Sequence, residues 1–207
     1  MKKTNNKGFS LVELIIVIAI MAILAGAIAP ALIKYIDKSR KSNDVSSAKT
    51  IKTAIETALG TESVYETLTS DTTYTKVTIN PNQPTAAATN GTDAVEITTP
   101  AGGTITPPDG GATIEECAKS IGSNIGEKTP KTKYKKNINE AGEKQNGTAG
   151  FKPESFVAFI TPGGTVYVCV AKADGENAVC NPNGSGSGVA TFTSCAPLAP
   201  EVCKGYQ

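Results

Sequence analysis

A long apolar stretch near the amino terminus dominates the hydrophobic pattern of this chain. Across residues 9–33 only four residues fall outside the apolar set, namely Ser10, Glu13, Gly26 and Pro30. Residues 14–33 carry no charge, and about 20 such residues are enough for a helix to cross a membrane. Lysines flank the stretch on both sides, at Lys2, Lys3, Lys7, Lys34, Lys38 and Lys41. The pattern predicts a helix that is apolar on every side.

Beyond Pro30 the apolar positions fall on one face of a helix only. They recur at spacings of three and four, at Tyr35, Ile36, Val45, Ala48, Ile51, Ile55, Ala58 and Leu59. We therefore predict one helix from about Phe9 to Leu59, ended by Gly60. Pro30 removes a backbone donor and disfavours helical geometry before it, so residues 22–30 are expected to be kinked or locally melted. The one-sided stripe over 34–60 is suited to packing under a sheet.

An αβ-loop region is predicted over residues 61–150. Within it, residues 61–112 are rich in Thr, Pro, Gly, Ala and Asn and predict an exposed loop with short strands embedded. Alternating side chains predict strands at 74–79 and 95–97. Pro-Asn and Asp-Gly sequences predict turns at 80–84 and 107–111. Thr113 and Glu116 have the spacing of a capping box, which predicts a short helix that ends near Ile121.

Residues 151–207 have the alternation of β-strands. We predict strands at 155–160 and 165–171, joined by a turn at 161–164 into an antiparallel hairpin with Val166, Val168 and Val170 on one face. A third strand is expected at 189–193. The predicted fold class is α+β, with the second half of a long amino-terminal helix packed under a small antiparallel sheet.

The composition excludes several classes of function. The chain has 207 residues and a formal net charge of +1, which does not fit a strongly basic nucleic-acid binder. It has no histidine and no tryptophan, which excludes a His-based catalytic triad, a His-ligated zinc and a haem with a proximal histidine. It also has no Cys-x-x-Cys sequence and no phosphate-binding loop. We therefore expect no catalytic residue, no metal and no cofactor, and we do not expect an enzyme.

Glu13 separates three interpretations of the apolar stretch. A removed secretory signal would be cut near residues 27–29, but its apolar core is usually only about 7–15 residues long. A plain membrane anchor would leave the Glu13 carboxylate in hydrocarbon, where it costs several kcal/mol. A segment that leaves the bilayer and packs against copies of itself would give Glu13 a partner.

The sequence Lys7-Gly8-Phe9-Ser10-Leu11-Val12-Glu13, followed by the apolar run, resembles the class III signal of type IV pilins and related pseudopilins. The resemblance covers roughly the first 40 residues. It implies that a prepilin peptidase removes leader residues 1–8 by cutting between Gly8 and Phe9. Phe9 then becomes the N-methylated first residue, Glu13 the acidic fifth residue, and Pro30 the proline that kinks many pilin helices. Ser10 departs mildly from the threonine that is commoner in the family.

The same resemblance implies a life cycle and partners. The precursor would sit in the cytoplasmic membrane through 9–33 and would then join a homo-oligomeric helical filament outside the cell. An assembly platform protein and a cytoplasmic ATPase would build the filament, which would serve adhesion, twitching motility or DNA uptake. Two alternatives stay open: a pseudopilin of a type II secretion or competence system, and a secreted enzyme or binding domain behind an ordinary signal peptide.

Five cysteines occur, four of them in the last 40 residues. If the carboxy-terminal region lies outside the cell, as the resemblance implies, disulfides are permitted there. We favour the local pairs Cys169–Cys180 and Cys195–Cys203, which leave Cys117 free. The alternative pairs Cys117 with a cysteine of the sheet.

A basic cluster surrounds Tyr134, formed by Lys128, Lys131, Lys133, Lys135 and Lys136. A basic cluster with an aromatic side chain could contact DNA or an anionic surface. The simpler interpretation, which we favour, is a solvated loop, because only one aromatic residue is present and glutamates dilute the charge.

Overall fold

The computed structural model describes residues 9–85, 94–100, 102–139, 142–143, 150–172, 178–181 and 190–207. The chain divides into two compact units, Met1–Ser39 and Arg40–Gln207. One helix, α1 (Leu11–Ala58), begins in the first unit and ends in the second. The prediction of one long helix that ends just before Gly60 is confirmed.

Helix α1 continues through Pro30 without a break. The expectation that residues 22–30 are locally melted is therefore wrong. Proline takes away a single intrahelical hydrogen bond, and the helical bonds on both sides keep the stretch helical. A bend at Pro30 stays a prediction.

A five-stranded antiparallel sheet organises the second unit. Its strands are β1 (Thr75–Ile79), β2 (Val95–Thr98), β3 (Ser155–Ile160), β4 (Val166–Ala171) and β7 (Cys195–Ala199). Their order across the sheet is β2-β1-β3-β4-β7. The predicted hairpin is confirmed as β3 and β4, with Phe156 opposite Val170 and Ile160 opposite Val166. The strands predicted at 74–79 and 95–97 are also confirmed, and they form one side of the sheet.

The two faces of the sheet bury two separate hydrophobic clusters. On one face Val166, Val168 and Val170 share a core with Ile51 and Ile55 of α1. On the other face, Cys169 and Ala171 lie in a smaller cluster with Val157, Phe159 and Tyr74. Val166, Val168 and Val170 of β4 therefore share one face of the sheet, as predicted, and the second half of α1 packs against that face.

The expectation that residues 61–112 form an exposed loop is wrong for much of their described part. A short helix, α2 (Glu62–Leu68), buries Val64 and Leu68 in the core. Helix α3 (Ile114–Ile125) begins with the predicted capping box between Thr113 and Glu116 and runs four residues beyond the predicted end. Helix α2 has only seven residues, which are too few turns to show a clear hydrophobic period. Its formation therefore depends on packing against the core, which the sequence pattern does not reveal.

The third strand predicted at 189–193 does not join the large sheet. Residues 191–193 form β6 (Thr191–Thr193), which pairs with β5 (Val179–Asn181) in a separate two-stranded sheet, and Val189 lies outside the described residues. The chain then turns at Ser194, whose φ is +58°, and enters β7 at the edge of the large sheet. A cis peptide bond joins Ala199 to Pro200, and a 3₁₀ turn at Lys204–Tyr206 ends the chain.

Candidate functional site: the apolar amino-terminal helix

The large apolar side chains of residues 9–36 are exposed. Phe9 is 82% and Leu11 is 72% exposed, and the others with more than half of their surface exposed are Val12, Leu14, Ile16, Ile18, Ile20, Met21, Ile23, Leu24, Ile28, Leu32, Ile33 and Tyr35. By length and composition alone, α1 could cross a membrane, although an amino-terminal signal sequence would meet the same criterion. Removing this surface from water is a large source of free energy for insertion or association.

Glu13 lies in the first turn of α1. The backbone N–H of Ser10 donates a hydrogen bond to Glu13 Oε2 at 2.9 Å, and the N–H of Leu14 donates to the Ser10 carbonyl at 3.2 Å. The carboxylate thereby satisfies a donor at the start of the helix, where a negative charge is favourable. It lies beside the backbone next to Phe9, the residue that cleavage would make the amino terminus.

Phe9, Glu13 and Pro30 all fall in the first unit, and Gly8 lies outside the described residues. Tyr35 and Ile36, which the sequence placed on the buried stripe, are instead 72% and 39% exposed. They precede Arg40, where the second unit begins. The buried stripe of α1 therefore starts later than predicted, and its first fully buried residue is Asp44.

Asp44 is a site that the sequence analysis missed. Its carboxylate accepts hydrogen bonds from the backbone N–H groups of Lys133 at 2.6 Å and Tyr134 at 3.0 Å. Burial raises the pKa of Asp44, and the two backbone hydrogen bonds partly oppose that rise. Asp44 precedes Ala48 by four residues and Ile51 by seven, so its position on the apolar stripe was the available signal.

The hydrogen bonds from Lys133 and Tyr134 to Asp44 also bear on the basic cluster around Tyr134. The Tyr134 side chain is fully buried and makes an edge contact with Tyr206, with 5.7 Å between the ring centroids. Lys128, Lys131, Lys133, Lys135 and Lys136 are exposed, as a solvated segment requires. Tyr134 is not available to stack on a base, so the alternative of a DNA contact loses its aromatic component.

All five cysteines are free thiols in this structure, so neither predicted local pair is formed. Cys169, Cys180 and Cys195 are buried in the smaller cluster, whereas Cys203 packs against the helix-side core. Cys195 and Cys203 therefore pack in different clusters. Cys117 lies in α3, also in the helix-side core, so its alternative pairing with a sheet cysteine is not formed either.

Comparisons with known proteins bear on the amino-terminal segment. A family model described as a prokaryotic N-terminal methylation motif matches residues 3–29. The type IV major fimbrial protein FimA of Dichelobacter nodosus is 46% identical over 57 residues, which are 28% of this chain and 36% of the relative. The amino-terminal segment is therefore similar to that of type IV fimbrial proteins.

Other pilin relatives match the same part of the chain. Fimbrial protein Q of Moraxella bovis is 49% identical over 54 residues, which are 26% of this chain and 34% of that protein. A fimbrial protein of Pseudomonas aeruginosa is 39% identical over 71 residues, which are 33% and 46% of the two chains. The match thus spans less than half the length of these fimbrial relatives. No solved structure matches the chain. The fold itself, a long amino-terminal helix followed by a small antiparallel sheet, is the pilin-like architecture that the sequence predicted.

Proposed function

We propose that the protein is a structural subunit of a type IV pilus, acting as the major pilin. Prepilin peptidase cuts the precursor between Gly8 and Phe9, and the new amino terminus is methylated. The subunit waits in the cytoplasmic membrane and then enters an extracellular helical filament, built by a platform protein and an ATPase. The subunit itself catalyses no reaction.

One observation carries the proposal: the apolar surface of residues 9–36 is exposed along a helix that starts with a carboxylate in its first turn. Such a surface needs lipid before assembly and neighbouring helices afterwards, because exposed apolar patches of this size are rare on monomeric proteins. The relatives' names describe fimbrial proteins, which favours a pilus subunit over a pseudopilin or an enzyme.

Glu13 supplies the proposed pairing that drives assembly. Cleavage creates an α-amino group, which is positively charged at neutral pH. Glu13 of one subunit neutralises the amino terminus of its neighbour, so two charges in an apolar filament core become one hydrogen-bonded pair. Losing either member of such a pair is costly. Removing Lys2, Lys3 and Lys7 with the leader leaves 17 basic and 19 acidic side chains, for a mature side-chain charge of −2.

The mature amino terminus tests this proposal. The full precursor is coexpressed with a prepilin peptidase, purified from membranes in detergent, and sequenced by mass spectrometry. We expect a chain that begins at Phe9 and carries one methyl group on its amine. A Gly8→Leu variant, whose side chain blocks the cleavage position, is the matched control and should keep its leader.

A different cleavage position would overturn the proposal. A mature chain that starts at Pro30 or Ala31 would identify an ordinary secretory signal. If cleavage occurs at Phe9, electron microscopy of surface filaments labelled with an antibody to this protein separates a pilus subunit from a pseudopilin, which would give no such filaments.

A further inference from the structure

Side chains alternate between buried and exposed along residues 131–135 of the second unit. Thr132 is 2% exposed and Tyr134 is fully buried, whereas Lys131, Lys133 and Lys135 are exposed. Among the described residues, none of these three lysines forms an ion pair. Three positive charges therefore lie on the solvent side of the segment, and we call these three residues the lysine row.

Buried hydrogen bonds hold the backbone of the lysine row in place. The Thr132 hydroxyl donates to the Pro153 carbonyl at 2.8 Å. The backbone N–H groups of Lys133 and Tyr134 donate to the Asp44 carboxylate at 2.6 and 3.0 Å. None of these hydrogen bonds uses a lysine ammonium group, so the three charges stay available to a partner. A row of charges on a fixed backbone also loses less conformational freedom on binding than charges on a mobile loop.

The lysine row lies at the end of the second unit where the chain enters it. The second unit begins at Arg40. The next residue, Lys41, donates a hydrogen bond to the Gly205 carbonyl, and its ammonium group lies 5.3 Å from the centroid of the Tyr134 ring. The segment that carries the lysine row therefore packs against the first residues of this unit.

A short tether joins this end of the second unit to the membrane-length stretch. Only seven residues separate Ile33, the last residue of the uncharged stretch, from Lys41. Such a connection covers no more than about 28 Å when fully extended and about 12 Å when helical, as α1 is here. When residues 14–33 span a bilayer, the tether keeps the lysine row close to the lipid headgroups, whatever the angle between the two units.

The lysine row can recognise its partner by charge. Tyr134, the aromatic residue within the segment, is buried and cannot stack on a base. Lys204 is exposed next to Gly205 and adds a positive charge, whereas Glu143, whose backbone also lies close to Gly205, offsets one. A layer of lipid phosphates needs only positive charge to bind, and the tether presents that layer at high effective concentration. These observations favour an anionic membrane surface over DNA.

We propose that the lysine row docks the second unit of the membrane-anchored precursor on anionic lipid headgroups. This inference rests on the membrane stage of the proposed function. Each lysine near an anionic surface strengthens such binding about fivefold. The attraction is lost beyond the Debye length of roughly 8–10 Å, so it acts only while the tether holds the second unit at the bilayer. Docking keeps the unit there, and extraction into a filament releases it.

Lysine acylation in lipid nanodiscs tests the docking. The full precursor is incorporated, one chain per disc, into discs of phosphatidylcholine alone or of phosphatidylcholine mixed with phosphatidylglycerol. A short pulse of an N-hydroxysuccinimide ester labels accessible amines, and tandem mass spectrometry gives the labelling rate of each lysine. We expect the lysine row to be labelled at least about fivefold more slowly in the anionic discs. Sodium chloride at roughly 0.5 M should remove most of this protection.

Lys119 is the matched control within the same unit. Its side chain is 55% exposed on α3. That helix contacts α1 through a hydrogen bond from the Asn124 side chain to the Ala54 carbonyl, ten residues beyond Asp44. Lys119 is therefore expected to be labelled at the same rate in both kinds of disc.

A double variant, Lys131→Gln with Lys135→Gln, tests whether the charges act together. Lys133 keeps its ammonium group and its backbone hydrogen bond to Asp44, because neither substitution touches that bond. Its labelling rate in anionic discs should rise towards the rate in phosphatidylcholine discs. Lys119→Gln removes a charge elsewhere and should leave Lys133 protected.

Several outcomes would overturn the inference. One is equal labelling of the lysine row in both lipids, and another is equal protection of Lys119. Protection that appears only when duplex DNA is added would make DNA the partner, and protection that grows with the number of chains per disc would make it a second copy. A precursor that does not enter the discs contradicts the proposed membrane stage itself, whereas an inserted precursor with an unprotected lysine row contradicts the docking alone.

Discussion

At the scale of single residues, two carboxylates on the same helix have different environments. Glu13 is exposed in the first turn of α1 and accepts one backbone hydrogen bond from Ser10, three residues away in the sequence. Asp44 is completely buried and accepts two backbone hydrogen bonds, from residues 89 and 90 positions further along the chain. Glu13 is the carboxylate that we propose acts in assembly, whereas Asp44 joins α1 to the segment around Tyr134 within the second unit.

We predict that Glu13→Ala leaves cleavage and methylation intact but abolishes filaments, because the amino terminus of a neighbouring subunit then has no counter-charge. Glu13→Gln keeps a hydrogen-bond acceptor without the charge and should also fail to assemble. Ser10→Ala retains the backbone N–H that contacts Glu13 and should assemble. Filament yield is measured by electron microscopy of sheared material. A normal yield from either Glu13 variant would contradict the charge-pairing mechanism.

We predict that Asp44→Ala lowers the free energy of unfolding by about 2–4 kcal/mol. The substitution leaves the N–H groups of Lys133 and Tyr134 without their acceptor, and each buried unsatisfied donor costs about 1–3 kcal/mol. Relief of the carboxylate's own burial offsets part of that loss. Urea unfolding of the full chain in detergent measures the change. Glu56→Ala on the same helix removes an exposed ion pair with Lys52 and should cost about 0.5 kcal/mol or less.

The pKa of Asp44 also predicts a pH dependence. Because burial raises the native pKa, the native state holds this proton more tightly than the unfolded chain does. Stability therefore falls as the pH rises from the usual value of about 3.9 through the raised native pKa, and it is regained as the pH falls. Asp44→Asn removes the titrating group, so the variant should lack this contribution. Urea midpoints measured across that pH range test the sign, and an unchanged slope in the variant would refute it.

At the scale of elements, α1 has two unlike halves. Its first half exposes apolar side chains all round, and its second half buries Ile51 and Ile55 against the sheet. Periodicity predicted both halves because the apolar pattern is local. It did not predict α2, which has only seven residues, or the separation of β6 from β7 by a single residue with positive φ.

We predict that Ile51→Ala lowers the free energy of unfolding of the second unit by about 2–5 kcal/mol, because it leaves a cavity in a fully buried position. Leu24→Ala is the control on the same helix. Leu24 is 56% exposed, so its truncation should change that unfolding by less than about 0.5 kcal/mol. Near-ultraviolet circular dichroism in detergent follows the unfolding. Equal losses in the two variants would mean that the two halves of α1 do not differ in this way.

At the scale of the whole second unit, the end of the chain is fastened to α1 and to the segment around Tyr134. Lys41 donates a hydrogen bond to the Gly205 carbonyl, and its ammonium group lies 5.3 Å from the Tyr134 ring centroid and 5.8 Å from that of Tyr206. Cation–π attraction and edge contact between the two rings stabilise this arrangement. Three parts of the chain that are distant in sequence therefore depend on one another.

We predict that Tyr206→Ala lowers the free energy of unfolding by about 3–5 kcal/mol, as loss of a buried aromatic ring usually does. Tyr206→Phe keeps the ring and should stay within about 1 kcal/mol of the wild type. Limited proteolysis of the full chain should cut the alanine variant near its carboxy terminus much faster. Resistance equal to that of the wild type would show that this end of the chain is not held by Tyr206.

The sequence by itself determined the features that depend on local pattern. These are the long apolar amino-terminal stretch, the length of α1, the capping box of α3 and the β3–β4 hairpin, because propensity and periodicity act over a few residues. Only the tertiary structure decided which distant groups meet. In the tertiary structure β7 forms an edge strand of the sheet. Asp44 is buried and accepts hydrogen bonds from the backbone of Lys133 and Tyr134. Cys169 and Cys195 pack in the same cluster. These contacts join residues that are far apart in the sequence. They depend on how the whole chain packs around a common core, so a pattern of neighbouring residues does not predict them.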